Sequence, residues 1–103
     1  MASSIKVRIE SEHGVTTVRT LIRHPMETGN RKNASGQDIP PHYIRELVCE
    51  HNGRPLLTAC WGPGISKNPS LSFQFTGAKA GDVLTLRWED NQGRQDSLQT
   101  EIR

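Results

Sequence analysis

The sequence predicts an all-β chain, an immunoglobulin-like β-sandwich of about seven short strands, on three observations. Apolar and polar residues alternate over most segments, turn residues recur between those segments, and no helical period of apolar residues is sustained anywhere. Ile5, Val7 and Ile9 alternate with Lys6, Arg8 and Glu10, which gives the first strand one dry face and one wet face. After Gly14 the run Val15–Ile22 reads as the second strand. His42–Glu50 and Arg54–Trp61 flank Asn52-Gly53, the strongest two-residue hairpin signal in the chain. Leu71, Phe73 and Phe75 alternate with Ser72, Gln74 and Thr76, and Leu84, Leu86 and Trp88 with Thr85, Arg87 and Glu89. Gln95–Ile102 completes the set.

A length of 103 residues supports one core, and with no internal repeat, linker or low-complexity tract residues 1–103 read as a single domain. Two Trp, one Tyr and two Phe make that core thin, which leans away from a large ligand cavity. Thirteen basic and eleven acidic side chains are spread along the chain without a run of like charge to track a phosphate backbone, so no nucleic-acid partner is expected. No stretch approaches the roughly 18 apolar residues of a membrane helix, so no membrane insertion is expected either. The start, Met1-Ala2-Ser3-Ser4-Ile5-Lys6, lacks the apolar stretch of a signal peptide and by itself reads as cytoplasmic.

Two segments break the pattern. In the predicted hairpin one face carries Tyr43, Leu47, Cys49 and Leu56, and the other Ile44, Val48, Leu57, Ala59 and Trp61, so both faces look apolar. A sandwich buries one face of a strand, and the second then needs a cover from a loop or a partner. The other break, Arg23 to Pro41, is long for a connection, and long connections are often functional, so it is the first place to look for a binding surface.

Catalytic and metal chemistry find little support. His24, Met26, His42, Cys49, His51 and Cys60 are ligand types, but both methionines precede Cys49 and no Cys-x-x-Cys frame is present, so neither a blue-copper nor a zinc pattern is met. Cys49-Glu50-His51 places a thiol and an imidazole on one strand face about 6–7 Å apart, too far for a direct hydrogen bond, and no third orienting group is evident. A tight Asn52-Gly53 turn pairs Cys49 with Leu56 and Cys60 with Arg45. Sulfurs four residues out of register lie about 13 Å apart along the strand, beyond the roughly 7 Å between bridged Cα atoms, so two thiols, or a bridge to another chain, are expected. No catalytic residue, metal or cofactor is assigned; the rival reading is a stand-alone thiol enzyme or sulfur acceptor using Cys49 or Cys60.

Arg23-His24-Pro25-Met26-Glu27-Thr28-Gly29, Ile39-Pro40, Val48-Cys49 followed by Asn52-Gly53, and Gly64-Ile65-Ser66-Lys67-Asn68-Pro69 together resemble, in order and spacing, the Z-subunit family of the Sox sulfur-oxidation carrier. That resemblance implies an immunoglobulin-like sandwich without catalytic chemistry of its own. It would pair with a Y subunit, whose glycine-rich tail ends near a cysteine carrying thiosulfate-derived intermediates, and would meet other Sox enzymes transiently. It also implies a periplasmic location reached by co-export with the signal-bearing partner, in place of the cytoplasmic reading. On this basis Arg23, His24, Pro25, Met26, Glu27, Thr28, Gly29, Arg31, Gly64, Ile65, Asn68 and Pro69 are the candidate partner-binding residues. Prolines in these loops restrict the chain before binding, and Arg23 and Arg31 offer forked donors for carboxylates or a sulfur oxyanion.

Overall fold

A computed structural model describes residues 4–102. Seven strands run in chain order: β1 (Ile5–Glu12), β2 (Val15–Ile22), β3 (Ile44–His51), β4 (Arg54–Cys60), β5 (Ser70–Thr76), β6 (Val83–Asp90) and β7 (Gln95–Glu101). They form two antiparallel sheets, one ordered β1-β2-β5 and the other β4-β3-β6-β7, which is the immunoglobulin-like sandwich that the alternation predicts. Between them lie Ile5, Val18, Ile22, Ile44, Leu47, Cys49, Leu84, Leu86, Trp88 and Ile102, all buried. Ser4 fastens the two sheets at one end: its hydroxyl accepts from the Trp88 indole at 3.0 Å and donates to Asp96 at 2.6 Å.

Tight turns set the register. His13-Gly14 and Asn52-Gly53 both have positive φ at each central residue, the type I′ geometry whose twist matches antiparallel strands. Bulges modify that register in two places. Against β4, β3 shifts between Cys49 and Glu50, so Cys49 faces Leu57 and Cys60 faces Glu46, correcting the expected partners Leu56 and Arg45. The physical reason is Leu56, an extra residue that a regular ladder cannot accommodate. Both cysteines are free thiols, Cys49 buried and Cys60 exposed; three residues out of register still puts them about 10 Å apart along the strand.

The second bulge, between Ile44 and Glu46 on the β6 side, resolves the two-faced hairpin. Inserting Arg45 inverts the alternation, so Ile44, Leu47 and Cys49 all reach the interior opposite Asp90, Trp88 and Leu86. Tyr43, Leu56, Leu57, Ala59 and Trp61 pack against the same core. Of the two expected covers, a loop or a partner, these residues need neither, because they pack against the chain's own core. Val48 stays on the outer side, 7 % exposed, in a depression it shares with Glu46 and Arg87.

The long connection is ordered by its own pairing. Glu27 and His42 form a backbone bridge, Ile39 N–H donates to Arg31 C=O, and Lys32 bridges Asp38. At the tip, Asn33 Oδ1 accepts from the backbone of Ser35 and Gln37. Strand β3 accordingly starts at Ile44, with His42 part of this arm. Gly29, at φ +88°, closes the arm against Pro41, whose ring lies 3.2 Å from where a Cβ would stand.

Candidate partner-binding site

Arg23–Gly29 and Gly64–Pro69 are distant in the chain, His24 and Asn68 standing 44 residues apart, yet they are one structure. Ile22 N–H donates to Pro69 C=O. His24 N–H donates to Asn68 Oδ1, and Asn68 N–H returns to His24 C=O, both at 3.0 Å. Asn68 sits at φ 50°, a left-handed conformation that asparagine tolerates, and this turns its backbone toward His24. Arg23 N–H donates to Ser4 C=O, so the ridge is also tied to the start of β1.

Alternation continues past the end of β2 and sorts the residues. His24, Met26 and Pro69 are buried, while Arg23, Pro25, Thr28, Arg31, Gly64 and Asn68 are exposed and Glu27, Gly29 and Ile65 are half-buried. The buried members hold the ridge from beneath. Met26 occupies φ 49°, strain of about 1 kcal/mol or more for a side chain of this kind. Its N–H donates to His24 Nδ1 at 3.1 Å and its sulfur accepts from Ile44 N–H at 3.3 Å.

Beneath the ridge is a carboxylate shared by two imidazoles. Asp90 Oδ2 accepts from His24 Nε2 at 3.1 Å and from His42 Nε2 at 2.6 Å, and its Oδ1 accepts from the backbone of Gln92 and Arg94. The His24 ring meets those of His42 and Trp88 edge-on, with centroids 4.5 and 5.2 Å away. Burial pushes the Asp90 carboxyl up, but the donors from His24, Arg94, His42 and Gln92 outweigh it and hold the group below the ordinary carboxylate range. Burial lowers the His24 pKa, against the opposing hydrogen bond to Asp90, and so favours a neutral ring.

His24, His42 and Asp90 offer ligand atoms within 4.8 Å of one another, so three groups of metal-ligand type do converge. Their proton inventory fits a hydrogen-bonded lock better than a cation. Because Nδ1 of His24 accepts from Met26 N–H, the neutral ring carries its proton on Nε2, the atom that faces Asp90. A ring ligating through Nε2 would carry that proton on Nδ1 and oppose one N–H with another.

Cys49 is not arranged for nucleophilic work. Burial, with Glu50 nearby, pushes the Cys49 thiol up to about 11, so it stays protonated at neutral pH. His51 turns to Asp82 at 2.8 Å and to the Phe75 ring, not to Cys49. The guanidinium of Arg31, offered above as a fork for an external anion, already grips both oxygens of Glu27, at 2.9 and 2.6 Å, and that hydrogen bonding lowers the Glu27 pKa. Arg23 makes no ion pair among the described residues and stays available.

Sequence reasoning missed Asp90, although one signal was present. Extending Leu84, Leu86 and Trp88 by one more alternate position puts Asp90 on the dry face, where a carboxylate needs dedicated donors. Comparison with known proteins bears on the whole sandwich: the family model described as sulphur oxidation protein SoxZ matches residues 5–101, from the first residue of β1 to the last of β7. No curated protein matches the chain.

Proposed function

This chain belongs to the SoxZ family of sulphur oxidation proteins, and from that premise we propose that it is the non-catalytic subunit of a two-chain sulfur carrier. It binds a Y-type subunit, whose C-terminal cysteine bears the covalent sulfur intermediates of thiosulfate oxidation, and other Sox enzymes act on that complex. Its place of work is the periplasm, reached in the company of the partner.

The observation that carries this reading is the ridge built from Arg23–Gly29 and Gly64–Pro69. These segments hold most of the family-like sequence, they are zipped by the reciprocal His24–Asn68 bonds, and they are braced from inside by Asp90. Such a surface is ordered before a partner arrives, which lowers the entropic cost of binding. The buried, protonated Cys49 supports placing the sulfur chemistry on the other chain.

Native mass spectrometry of this chain co-expressed with its Y-type subunit, after exposure to thiosulfate and an oxidant, tests the proposal. A one-to-one complex with adducts confined to the partner is the expected result. A monomer at micromolar concentration overturns it, and an adduct on exposed Cys60 transfers the role to this chain's own thiol.

A further inference from the structure

The outer face of the β1-β2-β5 sheet gathers a row of positive charge that no ion pair among the described residues engages. Strand register places Lys6 beside Leu21 and Arg8 directly opposite Arg19, with β2 in the centre and Ser70 and Ser72 on the far side. Arg23 extends the same row past the end of β2. None of Lys6, Arg8, Arg19 and Arg23 forms an ion pair among the described residues. The acids of this face are Glu10, the next outward residue after Arg8 on β1, which forms no ion pair among the described residues, and Glu12 beside the His13-Gly14 turn, which meets His13.

At the centre of these cations stands Leu21, 46 % exposed, the exposed large hydrophobic side chain among the described residues. The surface around it is hollowed. A depression of about 430 Å³ is lined by Lys6, Arg8, Arg19, Leu21, Ser70 and Ser72. A smaller one shares Lys6 and Leu21 with it and continues to Arg23 and Asn68, and a third runs from Arg23 and Asn68 to Pro25 and Lys67. One trough therefore leads from the middle of the sheet to the ridge.

We infer that this trough is the seat of an acidic segment of the partner subunit, one that presents carboxylates to Lys6, Arg8, Arg19 and Arg23 and sets an apolar side chain over Leu21. The inference rests on the heterodimer reading above and assigns it a face. Size and chemistry select the occupant. From Arg19 to Arg23 the row spans about 13 Å of extended chain, more than a small oxyanion bridges, and an anion alone would leave Leu21 in water. A phosphate backbone would likewise meet an apolar side chain at the centre of the patch. Arginines around an apolar centre are the composition of a protein interface, and clustered unpaired cations steer an acidic partner to it.

Three measurements on the co-expressed heterodimer test the assignment. Zero-length carbodiimide coupling is expected to join Lys6 to partner carboxylates. Arg19→Glu and Leu21→Ser are each expected to weaken the complex by about tenfold or more, while Arg45→Ala on the other sheet leaves it unchanged. Raising salt from about 50 to about 500 mM is expected to weaken the wild-type complex more than the Arg19→Glu complex. Arg19→Glu places a negative charge across from Arg8 and is expected to keep the fold, which circular dichroism checks. A heterodimer of wild-type strength in both variants, with carbodiimide links only elsewhere, overturns the face and leaves the heterodimer standing. Absence of any complex with the unaltered chain removes both.

Discussion

The two sheets treat charge in opposite ways. On the β4-β3-β6-β7 sheet most strand charges have a partner: Arg45 meets Glu89, Arg87 meets Glu50, and Asp90 receives two histidines and two backbone amides, while Glu46, Arg54 and Glu101 form no ion pair among the described residues. On the β1-β2-β5 sheet Arg8 lies opposite another arginine, and the row that includes Lys6, Arg19 and Arg23 has no such neighbours among the described residues. Burial explains part of the contrast, since a carboxylate inside a protein must be satisfied and an exposed lysine need not be. Burial does not explain why Arg8 faces Arg19, because like charges directly across a sheet are destabilising. Satisfied charges hold the fold together; the unsatisfied row is available to something outside it.

The largest effect is expected at Asp90. Asp90→Ala removes the acceptor for both imidazoles and two amides, and a loss of roughly 3 kcal/mol is expected in urea unfolding, since truncating one member of a buried network strands the others. A loss below about 1 kcal/mol would mean that the lock is incidental.

Acid probes the same network without mutation. The His24 pKa is lowered by burial, so the unfolded chain takes up its proton first as pH falls. Stability is therefore expected to fall as pH drops below about 6.5, with the His24 contribution fully lost below its folded value. A further loss is expected below the ordinary aspartate value of 3.8, because Asp90 is lowered and Asp82 is held at about 2 by the Lys79 backbone, His51 and Asn52. Urea midpoints at pH 8, 6, 5 and 3.5 would follow both limbs, and a flat profile between pH 8 and 5 would exclude the first.

The three-stranded sheet yields smaller changes of opposite sign. Thr20 is buried, and its hydroxyl has no hydrogen-bond partner among the described residues. Thr20→Val keeps the shape and removes the stranded group, so a gain of about 1 kcal/mol, or roughly 4–8 °C in Tm, is expected in thermal unfolding. Arg19→Glu replaces a like-charge pair with an attractive one and is expected to stabilise the isolated chain by about 0.5 kcal/mol at low salt, less in high salt. Stabilisation of the free chain with weakening of the heterodimer would sharpen the contrast between the sheets, and a destabilised free chain would blunt it.

Much of this was legible in the residues. Alternation and turn chemistry give all seven strands within a residue or two, because each sheet is wet on one side and its faces differ in polarity. The bulges were not legible: Arg45 and Leu56 look like ordinary strand residues, and the register they break is decided by contacts with β6 and β4. That is why one apolar set looked like two. The site was half legible. Arg23–Gly29 and Gly64–Pro69 stand out through their resemblance and their proline and glycine content, but their joining depends on Asn68 adopting positive φ, and their footing on an aspartate more than sixty residues from His24. The cations of β1 and β2 were visible from the start as the wet half of an alternating pattern, and only the register showed that they share one face with no anion between them.

The arm from Glu27 to His42 has a practical consequence. From Asn30 to Asp38 every side chain is exposed, and the tip is held by Asn33 and its immediate neighbours. Because none of that span contributes to the core, the chain is open to nicking near Ser35-Gly36 with the sandwich left intact. The same position suits an inserted tag or fluorophore, giving a handle that obstructs neither sheet.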